Sequence, residues 1–156
     1  MLFQDNNQKY NIELDMKVYK EMICYCSISY PYETGGILIG NYSSNQTTAN
    51  ILKILPPSKK SKSTKNTFYR SNDGLIKELD LAWRYGQYYL GEWHYHPNAS
   101  SVPSDIDRKQ MELLSQDLKL KCPEPILIII GGSQNNWDID IRLFVNSQEI
   151  ILKKQY

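Results

Sequence analysis

Between Leu14 and Ser29 the apolar residues Leu14, Val18, Met22, Ile23 and Cys26 recur at helical spacing, with Asp15 near the start and Pro31 beyond the end. The pattern predicts an amphipathic helix over that stretch. The segment Ile37-Leu38-Ile39 then reads as a strand entered through the pair Gly35-Gly36, and Thr48 to Leu55 as a second strand stopped by Pro56-Pro57. A short strand is expected over Thr67–Arg70. Ser71-Asn72-Asp73 offers N-caps for a helix through Trp83 or Arg84, its buried stripe drawn from Leu75, Ile76, Leu79 and Trp83 and its end at Gly86.

Gln87 to Tyr95 reads as a strand, and residues 97–103 as a loop. Ser104 begins a helix through Leu118 or Leu120 that turns Met111, Leu114 and Leu118 inward. Ile126–Ile130 is an unbroken apolar run, too short for anything but a buried strand. Gly131-Gly132 reads as a turn, with late strands at Ile139–Val145 and Glu149–Leu152. Helices interleaved with strands of both patterns predict an α/β fold, a mixed sheet covered by helices, with residues 1–156 as one domain.

Composition narrows the class. Apolar content of 41% and charged content of 22% describe a folded chain. A net charge of +1 gives no bulk reason to expect nucleic acid or a membrane as partner. Residues 58–66 carry Lys59, Lys60, Lys62 and Lys65 without interleaved aromatics, which favours a solvated loop over a stacking platform and leaves contact with an acidic partner as the alternative. The three cysteines, Cys24, Cys26 and Cys122, read as free thiols, and the N-terminus lacks the pattern of a secretory signal. The expected location is the cytoplasm.

The candidate chemistry gathers in one stretch. The chain has two histidines, His94 and His96, on the strand predicted last before the loop, and residues at i and i+2 of a strand share a face. Two imidazoles followed by Asp105 and Asp107 at a helix start form a possible metal site with an open position; two ordinary strand residues are the alternative. Ser104 and Asp107 also have the spacing of a helix capping box, imperfect because aspartate is shorter than the usual glutamate. Glu33, before the glycine pair, is either an exposed turn residue or a general base, with the glycines admitting a substrate chain. Glu92 shares the predicted face of His94 and suits a supporting role; Asp105 suits the first turn of the helix.

The run His94-x-His96-Pro97-x6-Ser104-x2-Asp107 resembles the signature of the JAMM (JAB1/MPN+) metalloproteases with its spacing intact. Glu33-Thr34-Gly35-Gly36-Ile37-Leu38-Ile39-Gly40 is similar to the segment that carries that family's catalytic glutamate. The resemblance is strongest to short prokaryotic JAB proteins, among them the stand-alone proteases of bacterial antiphage (CBASS-type) operons. It implies an α-β-α sandwich with a mixed, curved sheet, of the cytidine-deaminase-like kind. It further implies one Zn²⁺ held by His94, His96 and Asp107, with Glu33 as general base and Ser104 as hydrogen-bond donor to the oxyanion. The implied activity is cleavage of a bond between a ubiquitin-like C-terminus, or a protein such as a cyclic-nucleotide synthase conjugated in that fashion, and its target. The cognate conjugating enzymes are further partners it suggests. Processing of a ubiquitin-like or sulfur-carrier precursor, or a non-catalytic MPN scaffold role, are the alternatives within the resemblance.

Overall fold

The structure is a computed structural model and describes residues 1–134 and 136–156. In chain order the elements are β1 (Leu2–Gln4), β2 (Asn11–Leu14), α1 (Met16–Ser29), β3 (Thr34–Tyr42), β4 (Thr48–Leu55), β5 (Lys62–Ser63), β6 (Phe68–Tyr69) and α2 (Leu75–Arg84). Then follow β7 (Tyr88–Pro97), α3 (Asp105–Gln116), β8 (Ile126–Ser133), β9 (Asn136–Val145) and β10 (Gln148–Lys154). A mixed sheet runs in the order β1-β10-β9-β8-β7-β3-β4-β2, with β2–β4 and β7–β8 parallel and the other pairs antiparallel. The mixed sheet with helices is as expected. The expected curvature goes further than a sandwich layer, since the sheet closes through the β1–β2 and β1–β10 pairs into a barrel. The closing strands β1 and β2 are too short and too polar outside Phe3, Ile12 and Leu14 for periodicity to reveal them.

The core explains the elements. In α1, Val18, Met22 and Cys26 stack at four-residue spacing on one buried face. That face joins side chains from every barrel strand, including Leu38, Ile51, Trp93, Tyr95 and Ile128, so the sheet curls around α1. Asp15 caps the helix by accepting from the Lys17 amide at 2.7 Å. The apolar run of β8 fails to alternate because both its faces are buried. Ile126, Ile128 and Ile130 meet the α1 side, while Leu127 and Ile129 pack with Met111 of α3 and Phe144 of β9.

Other expectations shift by local amounts. Gly74, in a left-handed conformation, stands at the N-cap of α2 where Ser71-Asn72-Asp73 was expected, and only part of the predicted stripe is covered. Leu75 and Leu79 pack with Ala82, Ile37 and Tyr89, whereas Ile76 and Trp83 are exposed. Helix α3 ends at Gln116, leaving Leu118 in solvent. Residues 58–66 are not wholly loop, since β5 pairs with β6 in a small hairpin. Gly131-Gly132 does not turn either: β8 continues through it because the loop after β7 docks there, with Gly132 N donating to Ala99 O at 2.8 Å and Asn98 N to Gly132 O at 3.0 Å.

Gly91 sets how β7 meets β8. Its φ of +146° belongs to glycine, and a Cβ there would stand 1.9 Å from Ile126 O of the neighbouring strand. The adjacent irregularity in the β3–β7 register lets both Tyr89 and Glu92 leave the α1 side while Leu90 and Trp93 face it. Gly91→Ala is therefore expected to destabilise the fold by about 3 kcal/mol, or roughly 6–12 °C in melting temperature. Thermal unfolding followed by circular dichroism reads it, and an unchanged midpoint would contradict this account of the bulge.

Candidate active site

Strand β7 has two characters. Trp93 and Tyr95 are fully buried against α1, which anchors the strand, while Glu92, His94 and His96 alternate onto the opposite face. His94 and Glu92 are buried there, and His96 is half-buried. The antiparallel partner β3 places Gly35 opposite His94 and Thr34 opposite Tyr95, so Glu33 enters beside the histidines at the start of that strand. The Glu33 backbone is tied to the β5–β6 hairpin by its N–H donating to Thr64 O at 2.8 Å. Phe68 of that hairpin stands edge-on to the His94 ring, centroids 5.9 Å apart.

Gly35, the second residue of β3, packs tightly against the neighbouring strand. A Cβ on Gly35 would lie 2.4 Å from Trp93 O and 2.9 Å from the His94 ring, with Phe68 at 3.0 Å. Gly35 thus makes room for β7 and the imidazole.

Helix α3 supplies the carboxylate. Ser104 is its N-cap, and the capping box is complete despite the short aspartate: Ser104 Oγ accepts from Asp107 N at 3.2 Å, and Ser104 N donates to Asp107 Oδ2 at 2.7 Å. The Ser104 hydroxyl also donates to Asp107 Oδ2 at 2.6 Å. The preceding loop is pinned by Ser101 Oγ donating to Asp138 Oδ2 at 2.7 Å, and the helix start by Arg108 Nη1 donating to Pro103 O at 2.7 Å. Held in this way, Asp107 presents Oδ1 to His94 Nδ1 at 2.7 Å and Oδ2 to His96 Nε2 at 3.5 Å. Asp105 points to solvent, 3.5 Å from Arg108, and takes no part.

Charge is distributed unevenly over these groups. Burial works against an imidazolium at His94, but the hydrogen bond to Asp107 and the neighbouring Glu92 carboxylate outweigh it, and its pKa is pushed up to about 9. Burial would raise Asp107 as well; its contacts with His94 and His96 prevail and hold it well below the usual carboxylate range. Glu92 is likewise lowered on balance, against burial, by His94 and Arg70. Glu33 goes the other way. Burial raises its pKa, the nearby charge of His96 offsets only part of that, and Asp107 adds to the rise. Arg70 and Gln110, which both bond Glu92, carry no sequence signal of their role.

Among the described residues no three His, Cys, Asp or Glu side chains stand as a preformed cage for an ion, because the carboxylate bonds the imidazoles directly. The donor set nonetheless suits zinc. Two imidazole nitrogens face the two oxygens of one carboxylate, and surrounding carboxylates already favour a positive charge there.

The family described as prokaryotic homologs of the JAB domain matches residues 16–143, and the chain belongs to it. It is 36% identical over 130 residues to a CD-NTase/cGAS isopeptidase of Enterobacter hormaechei, covering 83% of this chain and 72% of that protein. It is 30% identical over 124 residues to a probable metalloprotease of Sinorhizobium fredii, covering 77% and 75% respectively. The solution structure of protein DSY2949 from Desulfitobacterium hafniense shares the fold, with a TM-score of 0.68 at 19% identity over 90% of this chain and 88% of that one.

The His94–Asp107 pair gives stability a defined pH dependence in chelator-treated protein. The folded His94 pKa of about 9 lies above the ordinary 6.5, so its contribution is complete below about pH 6.5 and is lost as pH rises to about 9. Asp107, lowered from 3.8, contributes above that value and loses its contribution as pH falls further. Urea unfolding across pH 6 to 10 is expected to show the alkaline decline and to lose most of it in His94→Gln. An identical decline in that variant would assign it elsewhere.

Proposed function

We propose that this protein is a zinc-dependent isopeptidase that hydrolyses the bond between a ubiquitin-like C-terminus, or a protein conjugated in the same fashion, and its target, reversing conjugation in a bacterial antiphage (CBASS-type) system. The observation that carries the reading is the Asp107 carboxylate shared by His94 and His96, with Glu33 in the field of all three. The Enterobacter hormaechei isopeptidase supports the substrate class, and the probable metalloprotease supports dependence on a metal.

His94, His96 and Asp107 would hold the zinc. Bound there, it supplies a positive charge that acidifies water and polarises a carbonyl. Glu33 does the proton work: its carboxylate accepts a proton from the attacking water and returns it to the leaving amine. A raised pKa suits both halves of that task, because the group must hold the proton as well as take it. Ser104, whose hydroxyl donates to Asp107 Oδ2 here, would turn that donor to negative charge developing on the scissile carbonyl oxygen. No cysteine is needed, which agrees with the buried position of Cys26 and Cys122.

Glu33→Gln is expected to lower turnover of a conjugate of the cyclic-nucleotide synthase by about 10²- to 10⁴-fold while the variant still takes up zinc. Because the folded pKa of Glu33 is raised, its ionisation costs stability at neutral pH, so the same variant is expected to melt no lower than wild type. Turnover at the wild-type rate in Glu33→Gln would sink the mechanism. His96→Ala is expected to lose zinc, as metal analysis of the purified variant would show, and activity with it.

A further inference from the structure

Glu92 is a carboxylate with no solvent exposure on the same strand face as His94. A buried, unpaired charge costs several kcal/mol, and a well-packed apolar side chain fills such a position at least as well. Here the charge is retained and surrounded. Arg70 donates to Oε1 from Nε at 3.2 Å and from Nη2 at 2.7 Å, and Gln110 Nε2 donates to Oε2 at 2.7 Å. Arg70 is steadied in turn by its Nη1 donating to Asn72 Oδ1 at 2.7 Å. The guanidinium arrives from the chain just after β6 and the amide from α3, so two separate elements converge to fix this one carboxylate.

Its free direction is toward His94. Oε2 lies 3.6 Å from His94 Nε2, while the other ring nitrogen, Nδ1, faces Asp107 at 2.7 Å. That Oε2 contact is longer than a formed hydrogen bond and shorter than any other acidic contact of Nε2. The imidazole therefore lies between two carboxylates, one on each nitrogen. A ligating histidine commonly gives its second N–H to such an acceptor, which selects the tautomer and holds the ring in place.

On the zinc reading above, we propose that Glu92, clamped by Arg70 and Gln110, is a positioning residue. It retains the Nε2 proton of His94 and so leaves Nδ1 as the lone pair turned to the metal. Arg70 makes the chain after the β5–β6 hairpin part of the same support, which links that segment to the order of the metal site.

The test titrates zinc into chelator-stripped wild type, Glu92→Gln, Arg70→Gln and His96→Ala against a competing chelator. The visible spectrum of the cobalt-loaded forms and the melting of the stripped forms are recorded beside it. Glu92→Gln is expected to bind zinc about 10- to 100-fold more weakly and to shift the cobalt bands, and Arg70→Gln to move both in the same direction by less. A purely structural role would lower the melting midpoint of the stripped protein and leave affinity and spectrum unchanged; a folded Glu92→Gln with wild-type affinity and bands overturns the proposal. Should Glu92→Gln not fold, wild-type affinity and bands in Arg70→Gln overturn it instead. His96→Ala separates the two readings: if it binds zinc as wild type does, the metal site itself is misassigned, whereas its loss of zinc beside an unaffected Glu92→Gln refutes only the positioning role.

Discussion

Strand β7 must bury both of its faces, and only one of them is apolar. Trp93 and Tyr95 fill the core around α1, and the two-residue period then places Glu92, His94 and His96 on the opposite face, where their polar groups are largely withdrawn from water. Charges taken out of water need partners supplied by neighbouring elements. Helix α3 brings Asp107 and Gln110, the segment after β6 brings Arg70, and β3 brings Glu33. The assembly of the site is thus a condition of folding β7 at all.

The same economy appears at Ser104 and Asp107. A helix start needs acceptors for its free N–H groups, and the proposed metal site would need a carboxylate held still. One aspartate serves both, because its Oδ2 completes the capping box while Oδ1 faces His94. Treating cap and ligand as rival explanations of this pair sets apart two roles that different oxygens of one side chain can fill. Anchoring by Ser101 to Asp138 and by Arg108 to Pro103 keeps that helix start from drifting.

What could be read from the chain divides along physical lines. The histidine strand, the α3 start and α1 are signalled by local periodicity and capping residues, which act within a few positions, and they stand close to where the pattern places them. Barrel closure depends on β1 and β2 pairing across the whole length of the chain, and their three and four residues carry too little pattern to announce it. Ile76, Trp83 and Leu118 fit apolar stripes yet remain exposed, since spacing defines a face but not whether another element covers it. At the site, spacing paired His94 with His96 and Ser104 with Asp107, and only the family resemblance joined Glu33 to them. Arg70 was not legible, because its relation to Glu92 arises only when the hairpin folds back on β7.

Three carboxylates crowd this interior, and their surroundings sort them. Glu92 is matched by a guanidinium and an amide, Asp107 by two imidazoles and a serine, and both are held ionised below their ordinary range. Glu33 has no such direct side-chain partner among the described residues: burial dominates, the histidines act only through their charge, and Asp107 opposes ionisation. A group whose charge is stabilised by fixed donors makes a poor acceptor for a proton, because giving up the charge forfeits those bonds. A group whose charge is penalised gains by protonation. Where the pKa values of neighbouring acids are driven apart, the raised one is suited to proton transfer and the lowered ones to holding positive charge. On that criterion Glu33 is separated from Asp107 and Glu92 by environment alone, which is the division of labour that a water-activating hydrolase requires.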